Sequence, residues 1–213
     1  MKPGDSHHDT VYVHGSTIDD IVQNILASTP DSRWLLTGPI HSGKSEFLLR
    51  LIESIRPKKP TWRIGGVVTR GVFEDGQKVG YRAVNCLTGE TFLLGMRKDI
   101  PNSLSFQISA STNVEELLRQ TNVEIGDWLL FADSLERASN CIVEASRQLC
   151  DLVVIDEFGP LEANGLGLRT AIDSVLQSRC RTLVVVREQL LETAHALFAP
   201  ISVMRIFPSA SNT

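Results

Sequence analysis

Residues 38–45 read GPIHSGKS, the spacing G-x-x-x-x-G-K-[ST] of a loop built to hold phosphate. Each fixed position has a mechanical reason. Gly38 and Gly43 let the backbone turn so that successive N–H groups converge on phosphate oxygens. The positive end of a following helix adds to that attraction. Lys44 is long enough to reach the β- and γ-phosphates, and the Ser45 hydroxyl suits Mg2+. Pro39, Ile40, His41 and Ser42 fill the free positions; His41 is there chiefly for its backbone and is assigned no catalytic role. With Glu46 in the first helical turn, residues Gly38 to Glu46 form the candidate nucleotide-binding set.

A bound triphosphate needs a metal, and the metal needs a carboxylate. The run LVVIDE places Asp156 at the C-terminal end of a buried strand, where ligands of open α/β sheets collect. Asp156 is the natural Mg2+ partner, through water, alongside Ser45. Glu157 is placed to orient or deprotonate an attacking water, which favours hydrolysis over simple carriage. The candidate catalytic residues are therefore Lys44, Glu157 and Arg187, and the metal pair is Ser45 and Asp156. Arg187 ends the apolar run RTLVVV; it either faces the γ-phosphate as an internal arginine finger or pairs with Glu188 or Glu192 at the surface. Arg70 and Arg82 face the same choice between nucleotide and solvent, and Glu162 either hydrogen-bonds within FGPLE or stands in solvent.

These residues need elements to position them. RWLLTG reads as a short buried strand before the loop, and Phe47, Leu48, Leu51, Ile52 and Ile55 recur at helical spacing after it. RIGGVVTRGVF and KVGYRAVNC are β-rich runs around a turn at Asp75-Gly76, and TFLL follows, so residues 64–94 read as an antiparallel meander. Residues 95–126 are hard to read and contain a short strand SLSFQI and a short helical stretch VEELLRQ. A long helix is expected from about Trp128 or Ser134 to Leu149, feeding the strand DLVVIDE. Alternating helices and continuously apolar strands then run to SVMRIF. The pattern predicts an α/β fold with a mostly parallel sheet, helices on both faces and an inserted antiparallel β-meander. Residues 1–30 read as an N-terminal extension, loosely ordered over 1–14 and then helical with one apolar face; residues 31–208 form the main domain and 209–213 a tail.

The chain has 213 residues, 42% of them apolar, and a net charge of −4, which argues against broad binding to nucleic acid or a membrane surface. Its N-terminus, MKPGDSHHDT, lacks an apolar signal core, so a cytoplasmic location is expected. Cys86, Cys141, Cys150 and Cys180 form no CxxC pair and read as reduced thiols. A protein partner has two places to engage: the N-terminal helix and residues 95–126.

Taken together, GPIHSGKS, GGVVTRGVFEDGQKVGYRAVNCLTGE and VVIDEFGPLE resemble the P-loop nucleoside-triphosphatase family of bacteria and archaea, which has a human relative known as cancer-related nucleoside-triphosphatase. The matching positions are the Walker A loop Gly38–Ser45, Gly66–Thr69, Gly80–Arg82 and the Walker B segment Asp156–Glu162, within residues 33–207. The resemblance implies a P-loop fold and slow, Mg2+-dependent hydrolysis of ATP, GTP and other nucleoside triphosphates to diphosphate and phosphate. The N-terminal helix and Arg187 depart from the family pattern. Two rivals stay open: a phosphotransferase, with Arg97 and Lys98 as its only lid candidates, and a nucleotide-controlled binding switch with slow turnover.

Overall fold

A computed structural model of the chain describes residues 10–12, 18–40, 42–99, 118 and 122–205. Its strands are β1 (Thr10–Tyr12), β2 (Arg33–Gly38), β3 (Ile64–Glu74), β4 (Gln77–Asn85), β5 (Thr91–Arg97), β6 (Asn122–Ile125), β7 (Trp128–Phe131), β8 (Leu152–Phe158), β9 (Arg181–Arg187) and β10 (Ser202–Arg205). The helices are α1 (Ile18–Ala27), α2 (Lys44–Lys58), α3 (Ala132–Arg147), α4 (Pro160–Ala163), α5 (Arg169–Leu176) and α6 (Leu191–Phe198). All the strands join one sheet in the order β1-β10-β2-β9-β8-β3-β4-β5-β7-β6. Pairing is parallel from β1 across to β3 and antiparallel from β3 to β6.

The continuous apolar runs of β2, β8 and β9 exist because both faces of the parallel half are covered. Side chains alternate between two cores. On one face Trp34, Leu36, Val154, Leu183 and Val185 pack with Leu48, Leu51 and Ile55 of α2 and with Ile21, Val22 and Ile25 of α1. On the other, Leu35, Val153, Ile155, Val184 and Val186 pack with Ala138 and Ile142 of α3, Ile172 and Val175 of α5, and Phe198 of α6. The expected α/β architecture is thus the observed one, and among the described residues no helix is long and apolar enough to cross a membrane.

Three expectations change. The meander is continuous with the parallel sheet, and the hairpin β6–β7 adds two further strands to it. Trp128–Phe131 is a strand rather than a helix start: Gly126, at φ +54°, turns the chain so that four large apolar residues pair with β5 and β6. The helix begins at Ala132 and ends at Arg147. Within the N-terminal stretch expected to be loose, Thr10–Tyr12 pair in parallel with β10 as an edge strand. The apolar face of α1 is buried against α2, and Lys58 reaches Asp19 across that contact at 2.8 Å. SLSFQI and VEELLRQ lie outside the described residues, save Leu118, which is helical.

Candidate active site

The phosphate loop joins β2 to α2. Gly43 holds φ +80°, a left-handed turn that L side chains disfavour, immediately before the first turn of α2. Lys44 lies across the loop's own mouth: its Nζ donates to the Gly38 carbonyl at 3.0 Å and the Pro39 carbonyl at 2.7 Å. Burial pulls its pKa below the usual lysine range, against the opposing pull of Glu157 and Asp156. The Ser42 hydroxyl is buried with no hydrogen-bond partner. A cradle with a folded-back lysine and an orphaned hydroxyl is what a phosphate would complete. The Glu46 and Ile40 side chains are exposed, and His41 lies outside the described residues.

Asp156 stands at the end of β8, only 3% exposed. Its Oδ2 accepts hydrogen bonds from the Thr69 backbone N–H and hydroxyl, both at 3.0 Å. The Ser45 hydroxyl lies near enough to favour the ionised carboxylate, so the two residues expected to share a metal are neighbours. Burial raises the carboxyl to about 6, and the Thr69 hydrogen bonds and the Ser45 hydroxyl offset part of that rise. Gly66 makes the approach of β3 to β8 possible: at φ +95°, a Cβ there would sit 2.0 Å from the Val154 carbonyl oxygen. The close pairing carries Thr69 to Asp156.

Glu157 is the extra residue of a bulge. Asp156 faces Val185 and Phe158 faces Val186, so two steps on β8 match one on β9. The bulge puts Phe158 into the same core as Val153 and Ile155 and leaves Glu157 half-exposed at the mouth of the site. There Arg187 Nε donates to Glu157 Oε1. Arg187 also lies opposite Gly38 in the β2–β9 register, beside the phosphate loop. Its ion partner is thus Glu157, and neither Glu188 nor Glu192, the two surface partners weighed from sequence. Glu162 is buried and serves the loop: Oε2 accepts from the Gly159 N–H at 2.9 Å and Oε1 from the Leu168 N–H at 3.0 Å. Arg70 is exposed, paired across the hairpin with Arg82, and neither lines the cavity beside Glu157.

Residues 33–207 match the family model described as NTPase. The chain belongs to that family. The NTPase is 26% identical over 162 residues to nucleoside-triphosphatase THEP1 of Thermococcus kodakarensis, covering 75% of this chain and 78% of the relative. It is 29% identical over 154 residues to the protein of the same name from Methanosarcina acetivorans, covering 72% and 74%. Among solved structures, that of a human cancer-related nucleoside triphosphatase shares the fold at a TM-score of 0.56 and 19% identity, over 85% of this chain and 90% of the other.

Among the described residues of the NTPase, no group of three or more His, Cys, Asp or Glu gathers around a metal position. Mg2+ takes one or two protein oxygens and completes its shell with phosphates and water. The Ser45 hydroxyl and Asp156 carboxylate are neighbouring hard oxygen donors, and they fit the ion.

Beyond Glu157 lies a cavity of about 100 Å3 that the sequence did not announce. Thr69, Asp156, Glu157 and Arg187 form its phosphate-loop end; Tyr81, Leu94, Ile125, Trp128, Leu130 and Leu135 line another part, and the segment from Gly159 to Glu162 with Leu168 completes it. Tyr81 and Trp128 meet edge to face, with ring centroids 4.5 Å apart. Lys78 Nζ sits 3.8 Å over the Tyr81 ring and 5.8 Å from that of Trp128. Its pKa is lowered by burial, against the pull of Glu157 and Asp156. Burial raises the Tyr81 phenol, and the Glu157 charge adds to the rise. Tyr81 falls in the Gly80–Arg82 motif, which could have flagged it; Lys78 and Trp128 carry no comparable signal.

Proposed function

We propose that this NTPase cleaves the γ-phosphate from nucleoside triphosphates in a Mg2+-dependent attack by water, giving diphosphate and inorganic phosphate. One observation carries the reading: Asp156, at the end of β8, is held by two hydrogen bonds from Thr69 with the Ser45 hydroxyl of the first turn behind the phosphate loop nearby, and Glu157 stands beside it. The THEP1 relatives, which are nucleoside-triphosphatases by name, support the same substrate class. When bound, Mg2+ would neutralise charge building on the phosphate oxygens, held by Ser45 and Asp156.

The protein's own groups divide the remaining work. Lys44 exchanges the Gly38 and Pro39 carbonyls for the β- and γ-phosphate oxygens, so its ammonium is already in place when substrate arrives. The backbone N–H groups between Gly38 and Glu46, Pro39 having none, hold the phosphates. Thr69 fixes the Asp156 carboxylate from the far side. Glu157 orients the attacking water and takes its proton. Arg187, beside Gly38, meets charge on the γ-phosphate once it lets go of Glu157. Residues 31–208 act as the catalytic domain, with 1–30 an extension and 209–213 a tail, and we place the activity in the cytoplasm.

The test is phosphate release from ATP, GTP, CTP and UTP, with Mg2+ or with EDTA, for the parent and Glu157→Gln. Metal-dependent release that the substitution removes is the expected result. Release that survives EDTA or the substitution would overturn it.

A further inference from the structure

We infer that the cavity beyond Glu157 seats a second substrate, a small one-ring organic alcohol, and that the NTPase transfers the γ-phosphoryl group to its hydroxyl as well as to water. The inference rests on the proposed placement of the triphosphate at Lys44, Ser45 and Asp156. That placement fixes a direction. A loop of this kind holds the α- and β-phosphates and presents the γ-phosphate to the metal pair. Asp156, Glu157 and Arg187 then stand between the γ-phosphate and the cavity, whose remaining walls come from β4, β5, β6, β7, α3, and α4 with its flanking residues Gly159 and Leu168. No described residue of the loop lines the cavity, and the nucleoside is attached at the other end of the phosphates, away from it.

A hydrolase asks only for one water at this position. The site offers instead an aromatic pair, Tyr81 and Trp128, and half-buried Leu94, Ile125, Leu130 and Leu135, which give water few partners and a flat ring many. Its volume of about 100 Å3 accommodates one ring and little more. Apart from the Tyr81 phenol, the polar lining groups (Thr69, Asp156, Glu157, Glu162 and Arg187) gather toward the Glu157 end, where the acceptor's hydroxyl would lie. In the transfer step the hydroxyl oxygen forms a bond to the γ-phosphorus as the bond to the β-bridging oxygen breaks. The nucleoside diphosphate leaves, the hydroxyl proton passes to the Glu157 carboxylate, and a phosphate monoester remains.

The experiment follows all phosphorus by 31P NMR in Mg2+ and ATP, with benzyl alcohol or methanol as the added acceptor at equal concentration. Expected are inorganic phosphate in both, and benzyl phosphate formed at least about tenfold more often per mole than methyl phosphate, because the ring gains apolar burial that methanol lacks. Leu130→Phe on β7 and Leu135→Phe on α3, which fill the cavity, are expected to lower the ratio of benzyl phosphate to inorganic phosphate by about tenfold. ATP binding by each variant certifies its fold. Hydrolysis without any preference for benzyl alcohol over methanol, or a preference unmoved in folded variants, overturns the acceptor site and leaves the hydrolase intact. Absence of both inorganic phosphate and monoester, with ATP bound, overturns the hydrolase reading and this inference with it.

Discussion

Arg187 at the end of β9 donates through Nε to Glu157, the bulged residue at the end of β8, and the β2–β9 register sets the same arginine opposite Gly38 of the phosphate loop. The guanidinium therefore has two anionic stations: the carboxylate that would take a proton from water, and the phosphate that the water would attack. Before substrate arrives it occupies the first.

This pairing makes the two residues a coupled unit. Glu157→Gln is expected to lower turnover about 100-fold or more with nucleotide binding retained, the loss typical of a general base. Arg187→Ala should lower turnover about 100-fold, and the double variant should fall well short of the product of the two losses. Steady-state phosphate release by the four proteins measures this directly. Multiplying, independent losses would separate Arg187 from Glu157 in the mechanism.

Asp156 supplies a pH prediction whose sign can be worked out. Its folded-state value of about 6 lies above the ordinary 3.8, so the free folded chain keeps a proton that the unfolded chain releases. Through this group, stability of the nucleotide-free protein falls as pH rises from about 4 to about 6. Metal binding needs the ionised form, so activity should rise with pH through about 6. Mg2+ and the proton compete for the same carboxylate, so more Mg2+ should move this acid limb to lower pH. A limb that stays fixed across a Mg2+ titration would assign it to another group.

Lys44 is already committed to two carbonyls, so removing it affects more than charge. Lys44→Ala should abolish hydrolysis and weaken triphosphate binding far more than diphosphate binding, since the ammonium reaches the β- and γ-phosphates. Calorimetric titration with a non-hydrolysable triphosphate and with the diphosphate compares the two losses. Equal losses would remove the γ-phosphate from the reach of Lys44.

Lys78 holds its ammonium over the Tyr81 ring, within the field of Glu157 and Asp156. Its role would be to add positive charge on the cavity side of the γ-phosphate. Lys78→Met, which keeps the stem and its packing, should lower kcat about tenfold with KM nearly unchanged. A rise in KM alone would make it a binding residue instead.

Sequence made some of this legible and hid the rest for physical reasons. LVVIDE, RTLVVV and the GPIHSGKS loop could be placed because strands buried on both faces read as unbroken apolar runs, and because a phosphate loop has fixed positions. The meander up to Leu94 showed its turn at Asp75-Gly76. What escaped depends on register and distance. The bulge that frees Glu157 is a mismatch between β8 and β9, and no local pattern in either strand encodes it. Lys78, Tyr81 and Trp128 meet only because β4 and β7 flank β5. Trp128–Phe131 carries neither alternation nor a cap, so four apolar residues before a helix read as its first turn.

Glu162 closes the loop that follows Asp156 and Glu157, and its removal tests whether that loop holds the site in shape. The carboxylate is buried and accepts from two backbone donors, Gly159 N–H and Leu168 N–H. Glu162→Ala strands both donors in an apolar setting, at a cost of about 3 kcal/mol in unfolding free energy. Glu162→Gln keeps one acceptor oxygen and should lose about half as much, because only one of the two donors is stranded. Urea unfolding of the three proteins gives the ordering. Gly159 begins two residues after Glu157, so turnover should fall along the same order. A fully stable Glu162→Ala with reduced turnover would move Glu162 from support of the loop to contact with the substrate.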